Sequence, residues 1–277
     1  MTDDTKVELG GVQKTLFTTL AARAKEDRKK KPVLRDPKAA EMAASIGDEV
    51  TRFERGTGAW LNVLRTVIFD SWVRAFLAEH PDGTVVEIGT GLNTRFERVD
   101  NGRVHWIDLD LPDTIEMRRR FFEDSDRRRM LAASVLDEDW MRTVKQSPGP
   151  YLFVSEGVLA YLADAPQALT RIAGEFPGEL IAFDTFPERS VNQHRKVAEK
   201  KKIGASLAWS VENPRSLERL GLRLLESTAI TRPPRAVRDQ LPTRFRFYLP
   251  LANPVLGSFA RLNLFRTDPG EPTAPSS

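Results

Sequence analysis

The chain of 277 residues contains no cysteine. A disulfide, a thiolate nucleophile and a cysteine-ligated metal are therefore excluded. Histidine is also scarce. The three present, His80, His105 and His194, are scattered without metal-ligand spacing, so no metal site is expected. Nor is there an excess of one charge sign. Lys and Arg number 42 against 39 Asp and Glu, and the net +3 is too small for the basic surface of a nucleic-acid binder. No apolar run is long enough to span a bilayer, so no membrane partner is expected. The first residues, MTDDTKVELGG, are acidic and polar, unlike a secretory signal, and point to the cytoplasm. What remains is the composition of an ordinary globular protein, 40% hydrophobic and 29% charged.

The chain is organised around Thr84-Val85-Val86-Glu87-Ile88-Gly89-Thr90-Gly91-Leu92-Asn93-Thr94-Arg95. An apolar run ends in an acid and then a Gly-x-Gly turn. Glycine lets backbone approach a nucleotide cofactor closely, because no side chain stands in the way. The third glycine of the dinucleotide fingerprint is missing, since Thr94 holds its place. On its own the string also suits a tight strand-to-loop turn in any α/β protein.

The residues around it follow an α/β rhythm. Apolar runs at 84–88, 103–108, 130–133, 151–154 and 180–184 read as buried parallel strands. Helical patterns separate them, which argues a doubly wound sheet. Ligands then bind beyond the carboxyl ends of the strands. Gly89, Asp110, Ser134 and Glu156 all fall there. Gly91 and Asp110 are close to the ~20 residues apart expected of a nucleotide loop and its ribose-binding acid. Asp110 is read as the ribose ligand and Asp108 as a brace for the loop, although either acid could instead cap the next helix.

Before the sheet, residues 12–24 carry helical spacing, Asp36-Pro37 starts a short helix to 46, and residues 51–79 form a long helix broken near Gly56-Thr57-Gly58. Arg65 lies inside the apolar stripe of that helix, where a charge needs a partner or a route to solvent. The clusters Arg118–Arg120 and Arg127–Arg129 are interleaved with acids and read as solvated. Residues 188–206 are polar, basic and helical, like an insertion over the site. Two closing strands are read at 221–226 and 260–266, with a helix starting at Ser216. The expected division is a helical cap and the first sheet helix at 1–80, an α/β core at 81–267 with a lid at 188–212, and a disordered tail at 268–277.

Several strings together resemble the leucine carboxyl methyltransferase family, in particular its bacterial branch of tetracenomycin-type polyketide O-methyltransferases. They are Leu34-Arg35-Asp36-Pro37-Lys38-Ala39, Leu64-Arg65-Thr66 with Asp70, the stretch from Glu87 to Phe96, Trp106-Ile107-Asp108-Leu109-Asp110-Leu111-Pro112, and Ser155-Glu156-Gly157-Val158-Leu159-Ala160-Tyr161-Leu162. The resemblance implies a Rossmann-like class I methyltransferase. Its seven-stranded, mostly parallel sheet would carry helices on both faces, and its cofactor would be S-adenosyl-L-methionine (SAM). It also implies roles. Arg65 would hold the methionine carboxylate, with Lys14 assisting. Glu87, Gly89 and Gly91 would form the loop around the methionine and ribose. Asp110 would bind the ribose diol, and Ser134 and Val135 would lie against adenine. The family often has Asp-Leu at this last pair, so Ser134 departs from the pattern. Glu156 would sit near the sulfonium or amino group, and Tyr161 would line the pocket.

The expected function is methyl transfer to a carboxylate or phenolic hydroxyl of a small, polyketide-like molecule. A carboxylate, with a pKa near 4, is already ionised and needs no base. A phenol, with a pKa near 10, benefits from one. His194 is then the candidate base, and Asp184 is a further pocket candidate. The resemblance leaves open methylation of a protein C-terminal carboxylate and a SAM-binding protein that does not methylate. Thr94 and the Asp-x-Asp-x-Pro string disfavour a nicotinamide oxidoreductase. Ser155-Glu156-Gly157 stands where a nucleic-acid methyltransferase carries Asn/Asp-Pro-Pro-aromatic. The acceptor walls are expected in 12–26, 188–212 and 232–258, with Leu16, Phe17, Trp209, Phe245, Phe247, Tyr248 and Leu249 as apolar candidates.

Overall fold

The computed structural model describes residues 13–53, 59–201 and 205–268. Seven strands form one sheet: β1 Thr84–Ile88, β2 His105–Asp110, β3 Arg128–Ala132, β4 Tyr151–Ser155, β5 Leu180–Thr185, β6 Leu222–Ala229 and β7 Arg261–Thr267. Their order is β3-β2-β1-β4-β5-β7-β6. Neighbours among β1 to β5 are parallel, and β7 runs antiparallel to both β5 and β6. This is the arrangement that the sequence resemblance implied. The strand order reverses between β1 and β4, which opens a crevice at their carboxyl ends.

Four helices precede the sheet: α1 Gln13–Asp27, α2 Pro37–Ile46, α3 Asp48–Thr51 and α4 Ala59–Glu79. Asp36 caps α2, accepting from Ala39 N at 3.0 Å, and Pro37 opens its first turn. Within the sheet, α5 Arg95–Val99 follows β1, α6 Pro112–Arg118 follows β2, α7 Asp139–Val144 follows β3, α8 Ala165–Glu175 follows β4 and α9 Glu188–Lys201 follows β5. Two more helices, α10 Arg235–Arg238 and α11 Thr243–Leu256, lie between β6 and β7. None of the described helices is long and apolar enough to cross a membrane. The expected helix break at 56–58 and the tail at 269–277 lie outside the described residues.

Successive strand residues point to opposite faces, and each face has its own core. Val85, Trp106, Leu152 and Ala182 pack with Leu64, Ile68, Trp72 and Phe76 of α4. Val86, Ile107, Phe153 and Ile181 pack with Trp140 of α7 and Leu169 and Ile172 of α8. Both faces are covered over β1, β4 and β5, so these strands read as near-continuous apolar runs, whereas the edge strands β3 and β6 alternate buried and exposed residues. A third cluster joins Leu20 of α1 and Met42 of α2 to Leu92 and Ile115, docking the first helices on the glycine loop.

Three expectations need correction. β2 begins at His105, because the Asn101 side chain accepts from Arg103 N and Val104 N and holds them in a turn. It extends to Asp110, whose carbonyl accepts from Ala133 N beside β3. The segment Pro214–Leu220 is a 3-10 helix that Asn213 caps, not an α-helix from Ser216. Finally, Arg118 and Arg128 are not solvated. They are 1% and 5% exposed, because the buried Asp108 carboxylate draws both inward.

Candidate functional site

The glycine loop leaves β1 in a sharp turn. Gly89 and Gly91 both have positive φ, +67° and +49°, which disfavours any residue with a Cβ. A Cβ on Gly89 would lie 2.3 Å from Val158 Cγ2. Asp110, at the end of β2, accepts from Gly91 N at 2.7 Å through Oδ2 and from Leu111 N at 2.8 Å through Oδ1. Burial raises its carboxyl above the ordinary range, and the two N–H groups oppose the rise. Each oxygen keeps a lone pair for a ligand.

Asp110 lines a cavity of about 460 Å³ with Gly89, Ser134, Val135, Val158 and Leu162 among its walls. The Ser134 hydroxyl accepts from Leu136 N at 3.1 Å and keeps a second lone pair. One carboxylate, one hydroxyl and an apolar slot suit a nucleoside: a diol for Asp110, a base between Val135 and Leu162. The polar groups and shape therefore fit the adenosine portion of SAM.

A second cavity, about 350 Å³, shares Leu16, Gly89, Gly157, Val158 and Tyr161 with the first. Arg65, Asn62, Glu156, Phe186, His194, Leu207 and Phe259 also line it. Arg65 Nε donates to Glu156 Oε1 at 3.0 Å and Nη1 to Asp184 Oδ2 at 3.2 Å. Nη2 donates to no described residue. Asp184 also accepts from Gly157 N at 2.9 Å, so it holds both the arginine and the turn after β4.

Behind this chamber lies a buried ion-pair network. Arg95, with a fully buried side chain, reaches Asp70 at 2.8 Å and also pairs with Glu87 and Glu156. Arg98 bridges Asp70 and Asp36, and Arg23 joins Asp36 at 3.0 Å. Burial alone would raise Glu156, but the guanidinium groups of Arg65 and Arg95 hold its carboxyl below the usual range. Burial likewise opposes ionisation of Asp70, yet Arg98 and Arg95 keep it at about 2. Glu156 is thus an anion fully engaged by donors, since Thr66 Oγ1 also donates to it at 2.8 Å.

The structure brings Arg65, Gly89, Gly91, Asp110, Ser134, Val135, Glu156, Tyr161 and His194 to the two cavities. Two expected residues stand elsewhere. Asp108 lines neither cavity. It accepts from Thr90, Trp106, Arg118 and Arg128 and braces the loop from below. Glu87 also lines neither, and its Oε1 accepts from Asn93 Nδ2 at 2.8 Å while pairing with Arg95. The Lys14 side chain lies outside the described residues. Of the apolar wall candidates, Leu16 lines both cavities. Phe17 packs on Phe53, Trp209 on Phe183 and Phe245 on Trp60, Leu249 is core, and Phe247 and Tyr248 are exposed. Phe186, Leu207 and Phe259 take the wall positions instead; Leu207 lies within the expected segment 188–212, and Phe186 and Phe259 lie just outside the expected segments. Sequence reasoning also missed the bracing role of Arg118, which donates to Gly91 O and Asn93 O at 2.9 and 2.7 Å. The one available signal was Asp108, a carboxylate in an apolar strand that needed a cation.

Gly89→Ala tests the close approach at the junction of the cavities. Because a Cβ must displace Val158 and accept a positive φ, S-adenosylhomocysteine (SAH) affinity is expected to fall at least ~10-fold in calorimetry. The melting temperature should fall as well. Unchanged affinity would mean that no ligand lies against Gly89.

Residues 16–172 match the family described as leucine carboxyl methyltransferase. The chain is 37% identical over 238 residues to the tetracenomycin polyketide synthesis O-methyltransferase TcmP of Streptomyces glaucescens, covering 82% of this chain and 86% of that one. It is 29% identical over 242 residues to the S-adenosyl-L-methionine-dependent methyltransferase dpfgK of Gibberella zeae, covering 78% and 80%. Among solved structures it is similar to a candidate methyltransferase of Thermobifida fusca, with a TM-score of 0.55 at 16% identity over 91% of this chain and 94% of that one. A DUF574 family protein of Streptomyces avermitilis gives 0.53 at 12% identity over 90% and 97%. At these identities the structural likeness is one of fold.

Proposed function

The chain belongs to the leucine carboxyl methyltransferase family and is a SAM-dependent O-methyltransferase, and from that premise we propose that it methylates a carboxylate of a small, polyketide-like molecule. The observation that carries this reading is the make-up of the second chamber. It opens on the first over Gly89 and Gly157, has apolar walls at Phe186 and Phe259, and presents the donors Arg65 and Asn62. Its lining carboxylate, Glu156, is held ionised but committed to Arg65, Arg95 and Thr66. An acceptor that arrives already ionised needs no base from such a chamber.

In this reading Asp110 binds the ribose diol, and Ser134 and Val135 meet adenine. Arg65 Nη2 meets the methionine carboxylate, which suits a fixed guanidinium. Glu156 lies nearest the cationic end of the amino acid. Bound SAM supplies a sulfonium methyl open to in-line displacement by oxygen. The protein contributes alignment and exclusion of water. We assign the water-excluding cover to α9 and residues 205–212, with α1 to α3 as the helical cap and α4 as the first helix on the sheet.

The test is a panel of aromatic carboxylic acids and phenols incubated with methyl-labelled SAM. The expected product is a methyl ester, which mild alkali hydrolyses to labelled methanol. An alkali-stable aryl ether would replace the carboxylate with a phenol as acceptor, and no product from any acid or phenol would refute the reading.

A further inference from the structure

We propose that His194 serves the acceptor as a hydrogen-bond donor through Nε2–H, and so helps to select and orient its oxygen, instead of removing a proton from it. This rests on the reading of the second chamber as the acceptor's.

His194 sits on α9 and lines that chamber. Leu207 N donates to its Nδ1 at 3.4 Å. The ring stands edge-on to Tyr161, with centroids 5.8 Å apart. The ring contact sets the plane of the imidazole, and the Leu207 N–H assigns its tautomer. A neutral imidazole has one lone pair and one N–H. Since Nδ1 accepts from the main chain, the proton resides on Nε2. Nε2 bonds to no described residue. A general base needs a lone pair aimed at the substrate proton, and the lone pair of His194 is aimed at its own backbone.

The surroundings keep the ring neutral. The groups that share the chamber are Tyr161 from the turn after β4, Arg65 from α4, Arg23 from α1 and Glu156 from the end of β4. The one carboxylate among them, Glu156, is held by Arg65 and Arg95. Burial lowers the His194 pKa from its ordinary value. The chamber therefore offers the acceptor an N–H from His194, while Arg65 is engaged by Glu156 and Asp184 and by the methionine carboxylate. That N–H recognises an oxygen with a free lone pair, such as the second oxygen of a carboxylate or a neighbouring carbonyl or hydroxyl.

The experiment is nitrogen-15 NMR on protein labelled at its three histidines, with the His194 signals identified by their loss in His194→Gln. At pH 8 the pattern of the Nε2–H tautomer is expected, with a pKa below the usual ~6.5. An Nδ1–H tautomer or an imidazolium would overturn the proposal. A second arm uses whichever aromatic acid the methylation assay turns over. His194→Gln keeps an amide N–H near the Nε2 position and should stay close to wild type. His194→Phe should raise KM roughly 10-fold. Between about pH 4.5 and 9, a window that extends below the lowered His194 pKa, kcat/KM of wild type should show no acid limb at that pKa, and an acid limb there would reinstate the base. The NMR arm needs no acceptor, so failure to find one counts against the acceptor reading and leaves the tautomer result to stand alone.

Discussion

Replacing Arg95 with methionine is expected to cost about 3–5 kcal/mol of folding stability. Arg95 is fully buried and is shared by three carboxylates, Asp70, Glu87 and Glu156. They do not suffer equally. Asp70 keeps Arg98, at 2.8 and 3.0 Å, and Glu156 keeps Arg65 and Thr66. Glu87 retains only the Asn93 amide and loses its one bonded cation. Its carboxyl is already raised in the native protein, first by burial, with Arg95 opposing. Without the guanidinium it rises further, and the folded variant takes up a proton that the unfolded chain releases. A carboxyl raised on folding stabilises at low pH and loses that contribution as pH rises through its folded pKa. The stability deficit in urea unfolding should therefore be smaller at pH 5 than at pH 8. Adding Glu87→Gln should recover part of it, because the amide removes the charge and can still accept from Asn93. A deficit below about 1 kcal/mol that ignores pH would show that the network is not what holds the loop to α4.

Arg65→Ala should weaken SAH binding by about 100-fold or more, as expected for lost charge-assisted hydrogen bonds. The contrast lies in a second ligand. 5′-Methylthioadenosine has the nucleoside but no amino-acid carboxylate, so its affinity should be almost unaffected. Arg65 also clamps Glu156 and Asp184, and a Cβ on Gly157 would lie 2.9 Å from its guanidinium. Arg65→Lys should therefore recover little, since one ammonium cannot span both acids and a ligand. Equal weakening of both ligands by Arg65→Ala would mean that the arginine supports the fold and does not touch the amino-acid end.

These two arginines differ in how visible they were from sequence. Arg65 stood out as a charge in an apolar helical stripe, and its partners proved to lie at the ends of β4 and β5. The central strands β1, β4 and β5 were legible because each is an apolar run closed by polar residues. Their carboxyl ends then marked Gly89, Asp110, Ser134 and Glu156 for the site. Arg95 gave no such signal. It sits in a polar string beside Asn93 and Thr94, and its burial depends on α4, β1 and β4 converging over long sequence separations. Arg118 was hidden for another reason. In a run of three arginines the pattern does not say which one faces inward, and packing against Phe122 and Asp108 decides it. The aromatic wall was misread because Phe245, Phe247 and Phe259 have the same composition and differ only in where the chain between β6 and β7 places them.

The account rests on the cavity at the end of β2 being the SAM site, with Asp110 as its ribose ligand. Calorimetric titration of SAH into wild type and Asp110→Asn tests this most directly. The asparagine can accept from Gly91 N through its one oxygen but turns an amide NH2 toward Leu111 N, so the loop should survive with a small loss of stability while the charged acceptor for the diol is lost. Binding in the micromolar range, about −8 kcal/mol, that weakens at least ~30-fold in the variant with only a small fall in melting temperature is the predicted result. Equal affinity in the two proteins would contradict the assignment of Asp110, and no binding to wild type would contradict the site itself.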